Sequence, residues 1–278
     1  MKHSTKGVAV GMALLLTGVL GGCGGAAASK ASPTSPFPTF VYQEMISIKP
    51  RTTLPLVAPT FVPKTPAFVG STNHDRYLTA TDQPGGVLEG HYHVNVFVTP
   101  TLIAVNSPSL DGMANPGAEV AAFGADCYGS PEQAAATLAG WNADEGFVPM
   151  AQDPYRVDHV GSGIQARVYS GGAGVTSVQW QQGPWTFEVN NSANSALLAV
   201  AQQIVRFVHS HPLPSTANAG LVVMNFSSDL TPPRHASITS LAQSVVMWTR
   251  GAVVYRVTTY TPLNVLQMTV SMRPFRVP

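Results

Sequence analysis

The chain has 278 residues, of which 45% are hydrophobic and only 10% charged; its formal net charge is +1 and it holds 25 Gly, 23 Pro and 2 Cys. Average soluble domains carry about 25% charged residues, so Ser, Thr, Asn and Gln must wet much of this surface. This balance excludes the basic patch that nucleic-acid binding requires. Two cysteines exclude a disulfide framework, and the length fits one ordinary domain or two small ones.

Lys2, His3 and Lys6 form a basic head, followed by an apolar run from Val8 to Leu20. A helix of that length covers about 20 Å, short of the ~30 Å hydrocarbon core, which is the signature of a signal peptide rather than a span. The run ends in Leu20-Gly21-Gly22-Cys23. These residues resemble the bacterial lipoprotein cleavage site. The resemblance implies that residues 1–22 are removed and that Cys23 carries a diacylglycerol and becomes the acylated first residue. Paired acyl chains hold a protein to a bilayer stably. The expected address is therefore the extracytoplasmic face of the cell membrane, with the membrane itself as a partner.

Residues 23–66 read as a lipidated, Pro-rich tether, opened by Gly24-Gly25-Ala26-Ala27-Ala28 and punctuated from Pro33 to Pro66. Such composition favours an extended, semi-stiff chain. Phe37, Phe40, Val41, Tyr42, Met45, Ile46 and Ile48 interrupt it and suit a docking strand or a strand on the domain edge. All five lysines precede residue 65, whereas nine Arg and thirteen acidic residues follow. The expected globular domain is 67–278.

His91 to Val98 alternates as a strand, with Tyr92, Val94, Val96 and Val98 on the apolar face. Glu119 to Tyr128 is a second strand and runs into a helix start at Ser130-Pro131-Glu132. Ala134, Leu138 and Trp141 form the stripe of that helix. Ile164 to Tyr169 and Leu221 to Phe226 are further strands. Residues 178–204 and 246–272 align without a gap at an offset of 68. Val178, Trp180, Gly183, Phe187 and Val189 match Val246, Trp248, Gly251, Tyr255 and Val257. Each copy reads as a β-hairpin turning at glycine and leading into a helix. The first helix carries Leu197, Leu198, Ala201, Ile204, Val205 and Val208 on one stripe. The second opens with Thr261 as N-cap and Pro262 at the first helical position, with Leu263, Leu266 and Val270 following. Leu198 pairs with Leu266 and Ile204 with Met272. The expected fold is α+β: an antiparallel sheet of about seven to nine strands, with three helices packed on one face and two ββα repeats within it.

The hairpin–helix pattern, the closing run Leu266 to Arg273 and the cleavage site together are similar to uncharacterised lipoproteins of Gram-positive bacteria. More remotely they are similar to envelope lipoprotein carriers and sigma-factor regulators. That resemblance implies a binding or sensing module and transfers no catalytic residue.

Metal chemistry has one candidate, His91 with His93. Positions i and i+2 of a strand share a face, but a third ligand is missing nearby and Asn95 is a poor one. His209 and His211 close a helix, where the dipole favours imidazolium. Gly161-Ser162-Gly163-Ile164-Gln165-Ala166 fits G-x-G-x-x-A, yet a strand follows it where the dinucleotide motif needs a helix. Cys127 is expected as a buried structural thiol. Asp144, Glu145, Asp153, Asp158 and His159 read as a solvated acidic loop region. Trp180, Trp185, Trp248 and Tyr255 read as core. With no cofactor motif and no catalytic constellation, the sequence points to a non-catalytic binding or sensing module. Its partner would be an envelope protein, a cell-wall polymer or a lipid. The alternative is an enzyme whose site is assembled from dispersed residues.

Overall fold

A computed structural model describes residues 35–63, 77–88, 90–111, 118–145, 153–161, 163–170, 176–191, 197–216, 218–226, 244–260 and 262–277. Val8–Leu20, Cys23, Thr261 and the side chains of Trp141, Asp144 and Glu145 lie outside the described residues. Among the described residues no helix is long and apolar enough to cross a membrane.

Ser35–Pro278 forms one contact unit. Its elements are α1 (Thr39–Ile48), β1 (Val57–Pro59), β2 (Tyr77–Leu88), β3 (His91–Thr99), β4 (Ala118–Cys127), α2 (Pro131–Glu145), β5 (Arg156–Gly161) and β6 (Ile164–Ser170). Then come β7 (Thr176–Gln182), β8 (Trp185–Asn191), α3 (Leu197–Ser210), β9 (Gly220–Phe226), β10 (Ser244–Arg250), β11 (Val253–Thr259), α4 (Pro262–Val270) and β12 (Met272–Pro274). Ten strands make one sheet in the order β2-β3-β4-β11-β10-β9-β8-β7-β6-β5, and β1 pairs with β12 in a small second sheet. The architecture is α+β. Every pair in the large sheet is antiparallel except β8–β9. A parallel pair needs a crossover, and α3 is the element that supplies it.

Alternation sorts the side chains of the large sheet onto two faces. Val178, Trp180, Phe187, Val189, Val222, Met224, Val246, Trp248, Tyr255 and Val257 belong to the main core, together with the buried residues of α1, α3 and α4. Leu221, Val223, Val245, Met247 and Val254 point the other way and pack on Ala134 and Leu138 of α2. The expectation of helices on one face is therefore corrected: three cover one face and α2 covers part of the other. Leu221, Val223, Val245 and Met247 alternate with core residues of the same strands, so those strands carry apolar side chains on both faces. Such strands must be covered twice.

The tether is also corrected. Residues 35–63 pack into the unit. Val41, Met45 and Ile48 of α1 are fully buried at i, i+4 and i+7, with Glu44 beside them. Phe37 and Tyr42 lean on Phe275 at ring-centroid distances of 5.3 and 5.6 Å. The aromatic and aliphatic residues that interrupt the Pro-rich composition are thus the buried face of a helix, not of a strand.

The two hairpins form as the spacing predicts. Gly183 and Gly251 have φ of 60° and 62° at the first of two loop residues, the place a type II′ turn reserves for glycine. Within the hairpins Trp180 stacks on Phe187 at 4.8 Å and Trp248 on Tyr255 at 5.3 Å. Both tryptophans are buried. The strand bounds keep the 68-residue offset through both hairpins, and the offset is lost after them. Ile204 is buried within α3, whereas Met272 opens β12. On α4 the buried residues are Val265, Leu266, Met268 and Thr269, and Leu263 of the expected stripe is exposed.

Candidate functional site

On the second face, beyond α2, the sheet is polar. The register of β3, β4 and β11 sets His93, Gly124 and Arg256 in one row and Asn95, Ala122 and Thr258 in the next. In these two rows the middle strand contributes only small residues. A Cβ on Gly124 would fall inside contact distance of the Tyr92 carbonyl oxygen, so no side chain can rise there. The result is a trough of about 210 Å³, floored by β4 and walled by His93 and Asn95 on one side and Arg256 and Thr258 on the other. Glu119 closes one end. Irregular pairing between Val96 and Phe97 brings Glu119 opposite Phe97, which re-aims the side chains at that end.

At one end of the trough Glu119 and Tyr260 share a hydrogen bond. Burial pushes the Glu119 carboxyl up to about 7, against a hydrogen bond to Tyr260 and the Arg256 charge, which both lower it. Burial and then the neighbouring Glu119 charge push the Tyr260 phenol up to about 12. At the other end His93 Nε2 lies 3.0 Å from Asp126 Oδ1, with about a third of each side chain exposed. The trough thus offers a guanidinium, a carboxyl that changes charge near neutrality, a His–Asp pair, an amide and a hydroxyl, all on rigid strands.

His91 and His93 share the face opposite the buried Tyr92 and Val94, as the alternation predicts. Their rings are 5.9 Å apart and nearly perpendicular. Among the described residues no group of three His, Cys, Asp or Glu side chains is placed to hold a metal ion. His209 lies exposed in the last turn of α3, and His211 stacks on Phe207 at 4.5 Å just past it. Cys127 corrects the expectation of a buried thiol. It ends β4 exposed, its Sγ 3.6 Å from the Tyr128 carbonyl oxygen. Asp158 and His159 lie on β5, not in a loop.

Glu119, Arg256 and Tyr260 do not stand out in the sequence, because 137 residues separate the glutamate from the arginine it meets. The available signal is local: Arg256 is the one charged residue in the run VVYRVTT of β11, and mid-strand charges need a reason. Comparison with family models, with curated proteins and with solved structures returns no match.

Proposed function

We propose that this chain is a lipid-anchored, extracytoplasmic binding or sensing module, held to the membrane through Cys23, whose ligand or partner engages the trough between β3 and β11. The anchor rests on Leu20-Gly21-Gly22-Cys23. The observation that carries the binding reading is the trough itself: small residues on a central strand, flanked by His93, Asn95, Glu119, Arg256 and Thr258. Polar groups converging in a concavity on a rigid scaffold are the ordinary form of a recognition site. The partner classes are an envelope protein, a cell-wall polymer or a lipid. The two hairpin–helix segments, 178–204 and 246–272, are read as structural repeats; the support is the equal strand bounds and the paired Trp180/Phe187 and Trp248/Tyr255 stacks.

A second reading has its own observation. His93 and Glu119 border one trough, His93 is held by Asp126, and a histidine held by a carboxylate is a proton-transfer device. One experiment tests the anchor and another separates the readings. Expression in a bacterial host with labelled fatty acid should label the wild type and not Cys23→Ser; equal behaviour of the two refutes the anchor. A photo-crosslinking residue at Asn95, activated on intact cells, should capture one partner. Capture equal to that from a site on α3 refutes the trough as the site. Turnover of the captured molecule that is lost in His93→Gln replaces the module by the enzyme.

A further inference from the structure

The second face carries another concavity, on the far side of α2 from the trough. Two adjoining cavities of about 400 and 310 Å³ share Gln181 and Thr186 in their linings and so form one elongated groove. The groove crosses the strands. Pairing places Arg167 beside Gln179 and Gln181 beside Thr186, with Val157 beside Arg167 on the edge strand and Gln165 one residue beyond the last paired position of β6 and β7. Gln165, Gln181 and Arg167 are exposed, and Thr186 is half-buried. At the outer end Tyr155 and Val157 leave 55% and 54% of their surface in solvent.

From this placement we infer that the groove over β5–β8 binds an oligosaccharide chain, with the amides of Gln165 and Gln181 and the Thr186 hydroxyl meeting successive sugar rings. The inference adds a ligand class to the module reading and rests on it only for where the glycan is met.

Three features select this ligand. The first is matched hydrogen bonding. A primary amide both donates and accepts, as does each sugar hydroxyl, so one amide can satisfy a pair of neighbouring hydroxyls. The second is spacing. Neighbouring strands lie about 4.8 Å apart, close to the length of one pyranose ring in an extended chain. Polar groups repeating once per strand across three strands therefore suit about three rings. The third is charge. Among the described residues of the lining Arg167 is the charged one and no carboxylate accompanies it, which admits neutral sugars and sugars bearing acid groups. Val157, which lines the groove and is exposed, gives the apolar face of a terminal ring a surface to rest on. A peptide fits less well. Main-chain groups of β6, β7 and β8, the strands that carry the three polar groups, are engaged with their neighbouring strands, so a peptide lying across them has no backbone to pair with and could add only outside β5.

The test uses the full chain, titrated with β-1,4-linked N-acetylglucosamine oligomers of increasing length and with an equal series bearing uronic acid groups. Affinity should rise to about three rings and then level off. Gln181→Ala and Gln165→Ala should each weaken binding about three- to tenfold without shifting the melting temperature, since both side chains are exposed. Arg167→Ala should reduce binding of the acidic series alone. Asn95→Ala, in the trough, should leave all of it unchanged. Failure of every oligosaccharide to bind below about 1 mM overturns the inference. So does affinity independent of length, equal binding by Gln181→Ala, or competition by an extended peptide. If the glycans fail while the Asn95 crosslinker still captures its partner, this inference falls and the module reading stands.

Discussion

The most informative single change is Tyr92→Phe. Tyr92 is fully buried on β3. Its hydroxyl donates to the Val57 carbonyl oxygen and accepts from the Val57 N–H, both at 3.0 Å. Val57 pairs in register with Pro274, but the bond to this side is made by the Phe275 N–H to the Leu56 carbonyl oxygen, so the Val57 N–H and C=O face away from β12 and the phenol is their partner. Burial raises the Tyr92 pKa well above its ordinary value, which keeps the hydroxyl a donor throughout the working range. Phenylalanine keeps the ring and its packing but leaves one donor and one acceptor of Val57 unpaired inside the protein. A buried group left unsatisfied costs about 1–3 kcal/mol, so two should cost about 2–6 kcal/mol. Urea denaturation of the full chain, followed by tryptophan fluorescence, should show the midpoint falling with the slope unchanged. Hydrogen exchange should quicken at residues 56–58. A loss below about 0.5 kcal/mol would refute the docking of residues 35–63 on the sheet and restore the tether.

Other expectations follow from particular contacts. Gly124→Ala should destabilise by about 1–3 kcal/mol or more, because the obstacle is the backbone of Tyr92 rather than a movable side chain; denaturation midpoints equal within error would show that the trough floor is not so close. Gly140→Ala, exposed in α2 with nothing within 4 Å of its added Cβ, should stabilise by about 0.5–1 kcal/mol in the same assay. Glu44 and Glu119 each have a folded pKa of about 7, raised first by burial and, for Glu44, next by Asp82. The folded state then holds protons the unfolded state has released, so stability falls as pH rises from about 4.5 to 7. Glu44→Gln and Glu119→Gln should each flatten that fall in melting temperature measured across the range, and a profile identical to wild type would refute the burial of the group concerned.

Much of the large sheet is legible in the sequence because half-covered strands write their faces as alternation. His91–Val98 and the return strand Trp185–Asn190 announce themselves in this way, and glycine marks both tight turns. The reading fails where coverage changes. Strand β10 is buried on both faces, so Ser244-Val245-Val246-Met247-Trp248 shows no alternation from which to infer a second helix layer. Helix α1 is disguised by its flanking prolines, and a Pro-rich segment with a buried stripe has the composition of a linker while packing as a core element. The trough was half legible. His91 and His93 stand out as a pair, but what gives His93 a setting is Asp126 and Arg256, brought beside it by two strand pairings that only the register reveals.

The division of labour between the faces narrows where function can lie. One face is covered by α1, α3 and α4 and is fully used by the core. The other has its buried apolar cluster where α2 sits, on Leu221, Val223, Val245, Met247 and Val254. To one side of that helix the polar residues are charged and titratable, as in His93, Asp126, Glu119 and Arg256; to the other they are mostly neutral amides, as in Gln165, Gln179 and Gln181. If the polar face were merely wetted surface, charge would be expected to intersperse evenly across it. Instead α2 separates two chemically distinct fields on one sheet. The separation is testable by Leu138→Ala. Leu138 is buried in the apolar patch and lines the groove but not the trough. The substitution should cost about 2–5 kcal/mol in stability and weaken oligosaccharide binding at a temperature where the variant remains folded. Crosslinking from Asn95 should be unchanged at that temperature. Equal loss at both places would show that the face acts as one site rather than two.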